Sequence, residues 1–588
     1  MRGRFSAALV TGALVATIGS GVALALPAAA ASRVMAPSRT PAEPLMPKKG
    51  LLQQQLTTGR VLPKAMPQLA SSLQCNSTWN AVTSPNASSG RNILAGLAAS
   101  APNDVWAVGF YVNSGSAYRT LAEHWDGSAW SIVTTPNVGL GNNLLTAITA
   151  IGPTDIWAVG FWRPGDSSTY AQPLTEHWNG NDWTVVPAPN VPNALAALYS
   201  VSASATNDVW AVGLAEDFPV QPTGPRGHAL AMHWNGSNWS TVPTAAVVAP
   251  IAGPGIDIMG LNGVKVLSAT NAWAVGDGQD FSGSSPSSVD MAFIEHWDGV
   301  AWSQDTAMPV HTNGDFLIDV QGTASDLWAV GGQNQTYGSR FDYVLTEHWT
   351  SGTNTWNEVP GGTPNQSANL LALGYLAGNN VYAVGASGTF DPVTNAETDH
   401  TLIERYDGAN WSLVQSASNG YSDVLSAIAA ISPGDVWAAG SSVVTQYPQT
   451  LIENYCAPPV VSSVTPSTGS AGTSVVITGS RFSRAIDVEF GATPAFSFHV
   501  DSDTQITAVS PGHKAGTVDI TVTVQGTSAT SSADQFTYVG SISGTAPGGS
   551  GKFQPRTSYP PPVRIPPPTP MSGRQHFAAT SRSAPVPI

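Results

Sequence analysis

Histidine and glutamate have the clearest potential for acid-base or metal chemistry in this sequence, and they recur in a repeated Glu-His-Trp motif. Because the motif occurs once per repeat, its side chains are spread along the chain instead of converging. Dispersed histidines do not make a metal centre, and dispersed acids do not make the paired carboxylates of a glycoside hydrolase. We therefore predict no catalytic residue, no metal site and no cofactor. The residues in question are His124, His177, His233, His296 and His348, and Glu123, Glu176, Glu295, Glu347, Glu404 and Glu453.

The 19 tryptophans look at first like a sugar-binding surface, but their spacing indicates a structural role. All except Trp162 occupy one of three positions that recur in the repeats. A residue type that returns at one position of every repeat is what packing between repeats requires. Trp162 is the exception, which makes it a candidate for contact with a ligand.

The elements that carry these residues are defined by a Trp-Ala-Val-Gly motif that occurs seven times with small variations. Intervals of 51 to 63 residues separate the copies, a period typical of a β-propeller with one blade per repeat. Each repeat contains four short strand-forming runs, and an Asp-Gly or Asn-Gly pair after the third run predicts a hairpin. The predicted unit is a four-stranded antiparallel blade. The motifs begin at Asp104, Asp155, Asp208, Asn271, Asp326, Asn380 and Asp435.

The seventh repeat stops before its fourth strand, and a matching strand stands ahead of the first repeat, in residues 75–86. When Trp79 is aligned with Trp130, Cys75 falls at the turn between the third and fourth strands, and Cys456 falls at the same turn. These are the only two cysteines of the chain. We predict a Cys75–Cys456 disulfide that fastens strand 75–86 into the seventh blade; two free thiols are the alternative.

The connections between the second and third strands are long and differ between repeats, whereas the turns at the opposite edge are short and alike. Variable loops on a rigid scaffold are typical of recognition sites, and insertions that bind nothing are the alternative. The predicted ligand-binding residues are Tyr111, Tyr118, Trp162, Asp217, Phe218, Asp280, Phe281, Tyr337, Phe341 and Phe390.

Composition indicates several β-rich domains with extended ends, because only 10% of the 588 residues are charged while glycine and proline number 58 and 45. Residues 1–30 combine a basic start, an apolar run and small residues, which predicts a secretory signal peptide; a membrane anchor is the alternative. Residues 31–74 resemble a flexible linker and residues 540–588 a disordered Pro-rich tail. We expect a secreted monomer, extracellular or associated with the cell wall, without a membrane span.

Charge restricts the partners. Residues 75–539 contain ten Lys or Arg and 37 of the 38 acids of the chain, so this body is strongly acidic. Such a body disfavours nucleic acid and anionic membrane as ligands. An extracellular glycan or protein is the expected partner.

Residues 458–539 alternate Val, Ile and Thr with Gly, Pro and Ser turns, which predicts a β-sandwich. The whole stretch resembles the IPT/TIG family of immunoglobulin-like domains, and the resemblance implies that fold. The matching residues are Val464, Pro466, Gly469, Gly472, Thr473, Ile477, Thr478, Gly479, Phe482, Val488, Phe490, Gly491, Asp503, Thr504, Pro511, Phe536 and Tyr538.

The repeats in residues 75–456 resemble two kinds of propeller repeat. The Asp-Gly turn and the tryptophan strand are similar to the Asp-box repeats of sialidases and of photosystem-assembly propellers, and the length and the Gly after Trp-Ala-Val are similar to kelch repeats. The Asp-box turn is structural, so this resemblance implies a fold and no activity. A sialidase needs converging arginines, and the six propeller arginines are irregularly placed. A galactose-oxidase-like enzyme needs a Cys–Tyr cross-link and convergent histidines, and both cysteines are assigned to the disulfide.

The expected fold class is all-β: a seven-bladed β-propeller followed by a C-terminal immunoglobulin-like (IPT/TIG) β-sandwich. The expected function is non-catalytic recognition of an extracellular glycan or protein through the variable loop face of the propeller. An enzyme acting on extracellular polysaccharide and a purely structural cell-envelope protein are the alternatives.

Overall fold

A computed structural model describes most of the chain between residues 75 and 539, and the predicted signal peptide, linker and Pro-rich tail lie outside the described residues. The chain divides into two compact units between Ala457 and Pro458. No helix in the described ranges is long and apolar enough to cross a membrane. The described ranges are 75–112, 117–165, 170–217, 226–245, 258–280, 289–308, 314–334, 342–362, 367–391, 396–418, 422–443, 447–524 and 526–539.

Among its described residues, the first unit forms seven four-stranded antiparallel sheets; six are each built from one repeat, and one combines the last repeat with a strand from the start of the propeller. Strand β1 (Thr78–Ala81) comes first in the chain but belongs to sheet 7. Sheet 1 contains β2 (Asn92–Ala101), β3 (Asp104–Val112), β4 (Tyr118–Trp125) and β5 (Trp130–Val133); sheet 2 contains β6 (Asn143–Gly152), β7 (Asp155–Trp162), β8 (Gln172–Trp178) and β9 (Trp183–Val185); sheet 3 contains β10 (Ala194–Ala205), β11 (Asp208–Asp217), β12 (Arg226–Trp234) and β13 (Trp239–Val242).

The remaining sheets follow the same order of strands. Sheet 4 contains β14 (Ile258–Ser268), β15 (Asn271–Asp280), β16 (Val289–Trp297) and β17 (Trp302–Gln304); sheet 5 contains β18 (Asp315–Thr323), β19 (Asp326–Asn334), β20 (Asp342–Thr350) and β21 (Thr355–Glu358); sheet 6 contains β22 (Ser367–Ala377), β23 (Asn380–Asp391), β24 (Ala396–Tyr406) and β25 (Trp411–Leu413); sheet 7 contains β26 (Asp423–Ser432), β27 (Asp435–Ser442), β28 (Gln449–Cys456) and β1. The first strands contact one another in a closed cycle, in which β26 of sheet 7 contacts β2 of sheet 1.

The tryptophans hold neighbouring sheets together. Trp106 of sheet 1 is 1% exposed and lies between Trp178 and Trp183 of sheet 2, with ring centroids 4.8 and 5.5 Å away. The same arrangement repeats around the cycle, with Tyr382 in place of tryptophan in sheet 6. Each tilted or edge-on pair adds about 0.5–1.5 kcal/mol to the free energy gained by burial alone. The recurrent tryptophans are therefore core residues of the interfaces between sheets, as their spacing predicts.

Sheet 7 is completed by the strand from the start of the propeller. Strand β1 pairs with β28, and Trp79 lies opposite Tyr455, as Trp130 lies opposite Trp125 in sheet 1. Cys75 and Cys456 form a disulfide with Cα atoms 4.4 Å apart. The predicted disulfide and the predicted origin of the fourth strand are both confirmed.

The turns between third and fourth strands need glycine. Gly127 has a φ of 94°, and an added Cβ would come within 2.8 Å of the Asn103 Cβ. The side chain of Asp126 accepts hydrogen bonds from the backbone N–H groups of Ser128 and Ala129, at 2.8 and 2.9 Å. This geometry explains the repeated Asp-Gly pair, since few residues other than glycine adopt a positive φ at low cost.

The second unit is a β-sandwich. One sheet has the order β29 (Val460–Thr465), β31 (Ser474–Ser480), β35 (Gln505–Val509) and β34 (Ser497–Ser502); the other has β30 (Thr468–Gly469), β37 (Gln535–Tyr538), β36 (Gly516–Thr523), β32 (Asp487–Phe490) and β33 (Thr493–Pro494). The strands alternate buried and exposed residues, and the core contains the fully buried rings of Phe482, Phe490 and Phe536. All three stand at positions that match the IPT/TIG family.

Removal of the disulfide should destabilise the propeller. A Cys75→Ser/Cys456→Ser variant leaves strand β1 held only by pairing and packing, and the bond spans 381 residues of sequence. Chain entropy sets a ceiling of about 6 kcal/mol for so long a loop, and we expect a loss of about 2–4 kcal/mol in the free energy of unfolding. Guanidinium unfolding of both proteins measures it, with reduced wild type as the control. Identical unfolding midpoints would show that the bond does not stabilise the ring.

Candidate recognition surface

Four of the five recurrent histidines contact an aspartate of their own sheet, and His296 contacts Asn271 instead. His124 Nε2 lies 2.7 Å from Asp104 Oδ1, and the imidazole stacks on Trp106 with centroids 4.3 Å apart. Burial opposes ionisation of Asp104, but hydrogen bonds from His124 and Ser100 outweigh it and lower the pKa of the carboxyl group. Arg405 and Asn454, which replace histidine in the last two sheets, make the equivalent contacts to Asn380 and Asp435. In the part of the chain that the structure describes, no three His, Cys, Asp or Glu side chains are grouped to hold a metal.

The Glu-His-Trp acids are 0% exposed and lie apart from one another, in six different sheets. Three of them accept hydrogen bonds from the segment that follows the fourth strand of the preceding sheet. The Ala245 N–H donates to Glu295 at 3.2 Å, and the Gly362 N–H donates to Glu404 at 3.0 Å. Glu453 receives the N–H groups of Ala417 and Ser418 and the Ser416 hydroxyl. These carboxyl groups join one sheet to the next.

Two of the acids have no such donor. The residue six positions after the fourth-strand tryptophan is Ala245 before Glu295, but it is Pro85 before Glu123 and Pro136 before Glu176, and proline has no N–H. Neither oxygen of Glu123 or Glu176 has a hydrogen-bond partner among the described residues. Burial raises the pKa of Glu123 well above its usual value and that of Glu176 to about 8. Burial therefore favours the neutral form of both side chains.

The predicted ligand-binding residues that the structure describes lie on one edge of the propeller. We call this edge the rim: there the second strands end and the first and third strands begin. Tyr111 pairs with Arg119 in sheet 1, and Trp162 pairs with Gln172 in sheet 2. Tyr118 and Asp217 also lie on the rim, as do the backbones of Asp280 and Phe390, whereas Phe218, Phe281, Tyr337 and Phe341 lie outside the described residues.

The described rim residues are distributed over five sheets, namely sheets 1, 2, 3, 4 and 6. Tyr118 packs its edge against Phe110 at 5.5 Å, and Trp162 packs on the apolar cluster between sheets 1 and 2. Both rings are half-buried, so each combines a packing role with an accessible edge. The Asp217 side chain is 53% exposed and lies 3.7 Å from His228.

One rim loop, not among the predicted binding residues, presents the most exposed large apolar side chain of the rim residues that the structure describes. This loop, residues 136–143, connects sheets 1 and 2, and we call it the knob loop. Its tip residue, Leu140, is 84% exposed. The loop is held from inside by Asn143, which is 0% exposed; its side chain accepts from the Val138 N–H at 2.7 Å and donates to the carbonyls of Val138 and Gly141.

Both flanking sheets also fasten the knob loop. The Arg119 guanidinium donates to the carbonyl oxygens of Gly141 and Leu140 at 2.6 and 2.9 Å. The Tyr118 N–H donates to the Asn142 side chain, and the Arg163 N–H donates to the Asn142 carbonyl at 2.7 Å. The loop is consequently rigid although its tip is in water.

A sequence signal for this loop exists. Residues 85–92 and 136–143 share the pattern Pro-Asn, then a glycine, then a final asparagine, and Asn92 holds its own loop as Asn143 does. Ser89 occupies the place of Leu140. The pattern predicts the loop, but only the geometry shows which side chain it exposes.

Comparison with known proteins matches residues 459–538 to the family described as IPT/TIG domain. No curated protein matches the chain. Among solved structures, one titled "YCF48 bound to D1 peptide" is 16% identical with a TM-score of 0.40, and it covers 67% of this chain and 99% of its own. A protein of unknown function from Dyadobacter fermentans DSM 18053 is 10% identical with a TM-score of 0.35, over 67% of this chain and 99% of its own. The prediction of an all-β chain with a β-propeller and a C-terminal immunoglobulin-like domain is confirmed.

The unpartnered acid of sheet 2 predicts a pH-dependent stability. The folded state holds the Glu176 proton up to a pKa of about 8, whereas the unfolded chain releases it near 4.5, so stability falls as pH rises between these values. Replacement by glutamine in Glu176→Gln should flatten this decline, whose limit for one proton is about 1.4 kcal/mol per pH unit. Urea unfolding from pH 5 to 8 measures the slope, with exposed Glu358→Gln as control. Equal slopes in wild type and Glu176→Gln would contradict the assignment.

Proposed function

We propose that this chain is a secreted, non-catalytic recognition protein that binds an extracellular protein or glycan through the propeller rim, centred on the knob loop. The observation that carries the proposal is the 84% exposure of Leu140 on a loop fixed by buried Asn143 and by Arg119. An apolar side chain held rigidly in water is already ordered for contact. Binding there avoids the entropy cost of ordering a loop.

The surroundings of Leu140 suit a small contact centre. Full burial of a leucine contributes about 1.5–3 kcal/mol, and the accessible edges of Tyr118 and Trp162 extend the apolar area. The arginine that holds the loop also stands at the surface, where it can pair with polar groups of a ligand. Together these groups form a centre with a polar margin, the usual arrangement at recognition surfaces.

Several observations support the other parts of the proposal. The Cys75–Cys456 disulfide suits an oxidising compartment, in agreement with the signal-like residues 1–30. The aspartate contacts of the histidines and the burial of the Glu-His-Trp acids assign these groups to structure, which supports a non-catalytic role. We also propose that the seven repeats are kelch-like or Asp-box-like and that the chain acts as a monomer.

The experiment compares wild type with Leu140→Ser, using Val300→Ser as a matched control. Val300 is also 84% exposed, but it lies on the turn after β16, at the edge opposite the rim. All three full-length proteins are immobilised and screened against glycan arrays, cell-wall polysaccharides and arrayed extracellular proteins. We expect a ligand that binds wild type and Val300→Ser equally and Leu140→Ser about tenfold more weakly, a difference of about 1.4 kcal/mol.

Melting temperatures distinguish a loss of binding from a loss of folding in these variants. Because both substituted side chains are exposed, the melting temperatures should agree among the three proteins. If every ligand of the wild type binds Leu140→Ser with the same affinity, the knob loop is not the recognition site.

A further inference from the structure

The rim of sheets 1 and 2 is basic, although the body of the protein is strongly acidic. Arg91, Arg119 and Arg163 lie there, and the described rim residues of these two sheets include no Asp or Glu. Asp166 is present in the sequence between β7 and β8 but lies outside the described residues. We call the three residues the arginine arc.

Contacts join the arginine arc into one surface. The Arg91 carbonyl accepts from the Val112 N–H at 2.9 Å, and Val112 follows Tyr111, the strand partner of Arg119. Arg119 donates to Leu140, and the Gly141 Cα lies so close to the Arg163 carbonyl that an added Cβ would approach it to 1.9 Å. The knob loop, which carries Leu140, therefore contacts Arg119 and the backbone of Arg163, and Arg91 lies on the same rim, linked through the backbone of sheet 1.

The rim of sheets 4 to 7 has the opposite sign. In sheets 4 to 7 the described rim residues include no Lys or Arg, and Arg340 lies outside the described residues. Acids occupy strand ends there instead: the backbone places Asp280, Asp290, Asp342, Asp391 and Glu397 at these positions, and Asp399 is half-buried nearby. A charged ligand on this face therefore meets attraction on one side of the ring and repulsion on the other.

We propose that the rim of sheets 1 and 2 binds an acidic polypeptide segment, which places carboxylates near the arginine arc and an apolar side chain against Leu140. The inference rests on the proposed recognition function and names its ligand class. A guanidinium offers paired donors that suit a carboxylate, and Arg119 keeps its charge while it holds the loop. Acids in sheets 4 to 7 repel the carboxylates of the same ligand. This repulsion favours binding of the segment at sheets 1 and 2 over binding on the opposite side of the rim.

A polypeptide fits better than an anionic glycan for a specific reason. Burial of Leu140 is favourable when an apolar side chain of the ligand covers it. Burial against polar groups of a ligand gains little free energy, because those groups must lose their bound water. A polyuronic acid supplies carboxylates but few apolar groups, whereas an acidic peptide supplies both. The two half-buried rings, Tyr118 and Trp162, extend the same apolar area.

The test selects binders to the full chain from a phage-displayed library of random peptides. We expect the selected peptides to be enriched in Asp and Glu around an apolar residue. A selected peptide should bind Arg91→Glu about tenfold or more weakly than wild type, because the reversed charge repels the acids, and Arg91→Gln should fall between them. Lys514→Glu makes the same charge change at an exposed site of the sandwich and should bind as wild type does. Added salt should weaken the wild-type complex.

The other outcomes separate this inference from the proposed function. Selected peptides without an excess of acids, or acidic peptides that bind Arg91→Glu as tightly as wild type, overturn the inference. Polygalacturonate is the anionic glycan probe. Suppose that polygalacturonate binds wild type but not Leu140→Ser, and that no acidic peptide is selected. The proposed ligand class is then wrong, but the knob loop is still the recognition site. If Leu140→Ser binds every selected peptide as wild type does, both ideas fail.

Discussion

The interlocking of aromatic rings between neighbouring sheets is the interaction on which the rest of the propeller depends. Each second-strand ring is buried between two aromatic rings of the next sheet, as Trp437 of sheet 7 is buried against Trp125 and Trp130 of sheet 1. A cycle of such contacts is complete only if sheet 7 also offers a fourth-strand ring. Trp79 on β1 supplies it, 6.2 Å from Tyr382. Because β1 is remote in sequence from β28, the disulfide beside it limits fraying at the one place where the ring is not closed by a hairpin.

The same aromatic packing between sheets explains why the rim loops can differ in sequence from one sheet to the next. Packing between the aromatic rings of neighbouring sheets involves residues toward the edge opposite the rim, such as Trp106 and Trp183, so it does not constrain the connections at the rim. The rim loops must only satisfy their own backbone groups, which Asn92 and Asn143 do for two of them. A rigid ring, together with loops whose backbone groups are hydrogen-bonded, allows a side chain such as Leu140 to be exposed on an ordered loop.

The features that the sequence made predictable are those that recur. Strand order within each sheet, the role of the tryptophans and the Cys75–Cys456 bond all follow from comparing one repeat with another. The features that the sequence did not predict depend on contacts with residues of another repeat. Glu176 and Glu295 occupy the same motif position, yet only Glu295 receives an N–H, because the preceding sheet ends in Ala245 in one case and Pro136 in the other. Likewise, the shared pattern of residues 85–92 and 136–143 predicts the loop that Asn143 holds, but the exposure of Leu140 at its tip is visible only in the geometry.

The asymmetry of the rim has a consequence for how a ligand would arrive. A protein of uniform negative charge would repel an acidic segment from every direction, and Arg91, Arg119 and Arg163 would be too few to reverse that repulsion at a distance. Grouped on two adjacent sheets, however, they act within about one Debye length, roughly 8–10 Å at physiological salt, where the more distant acids are largely screened. Attraction is then felt only after close approach in the correct orientation. Under the proposed function, the acidic background would favour ligands that combine charge with an apolar contact at Leu140 over ligands that carry charge alone.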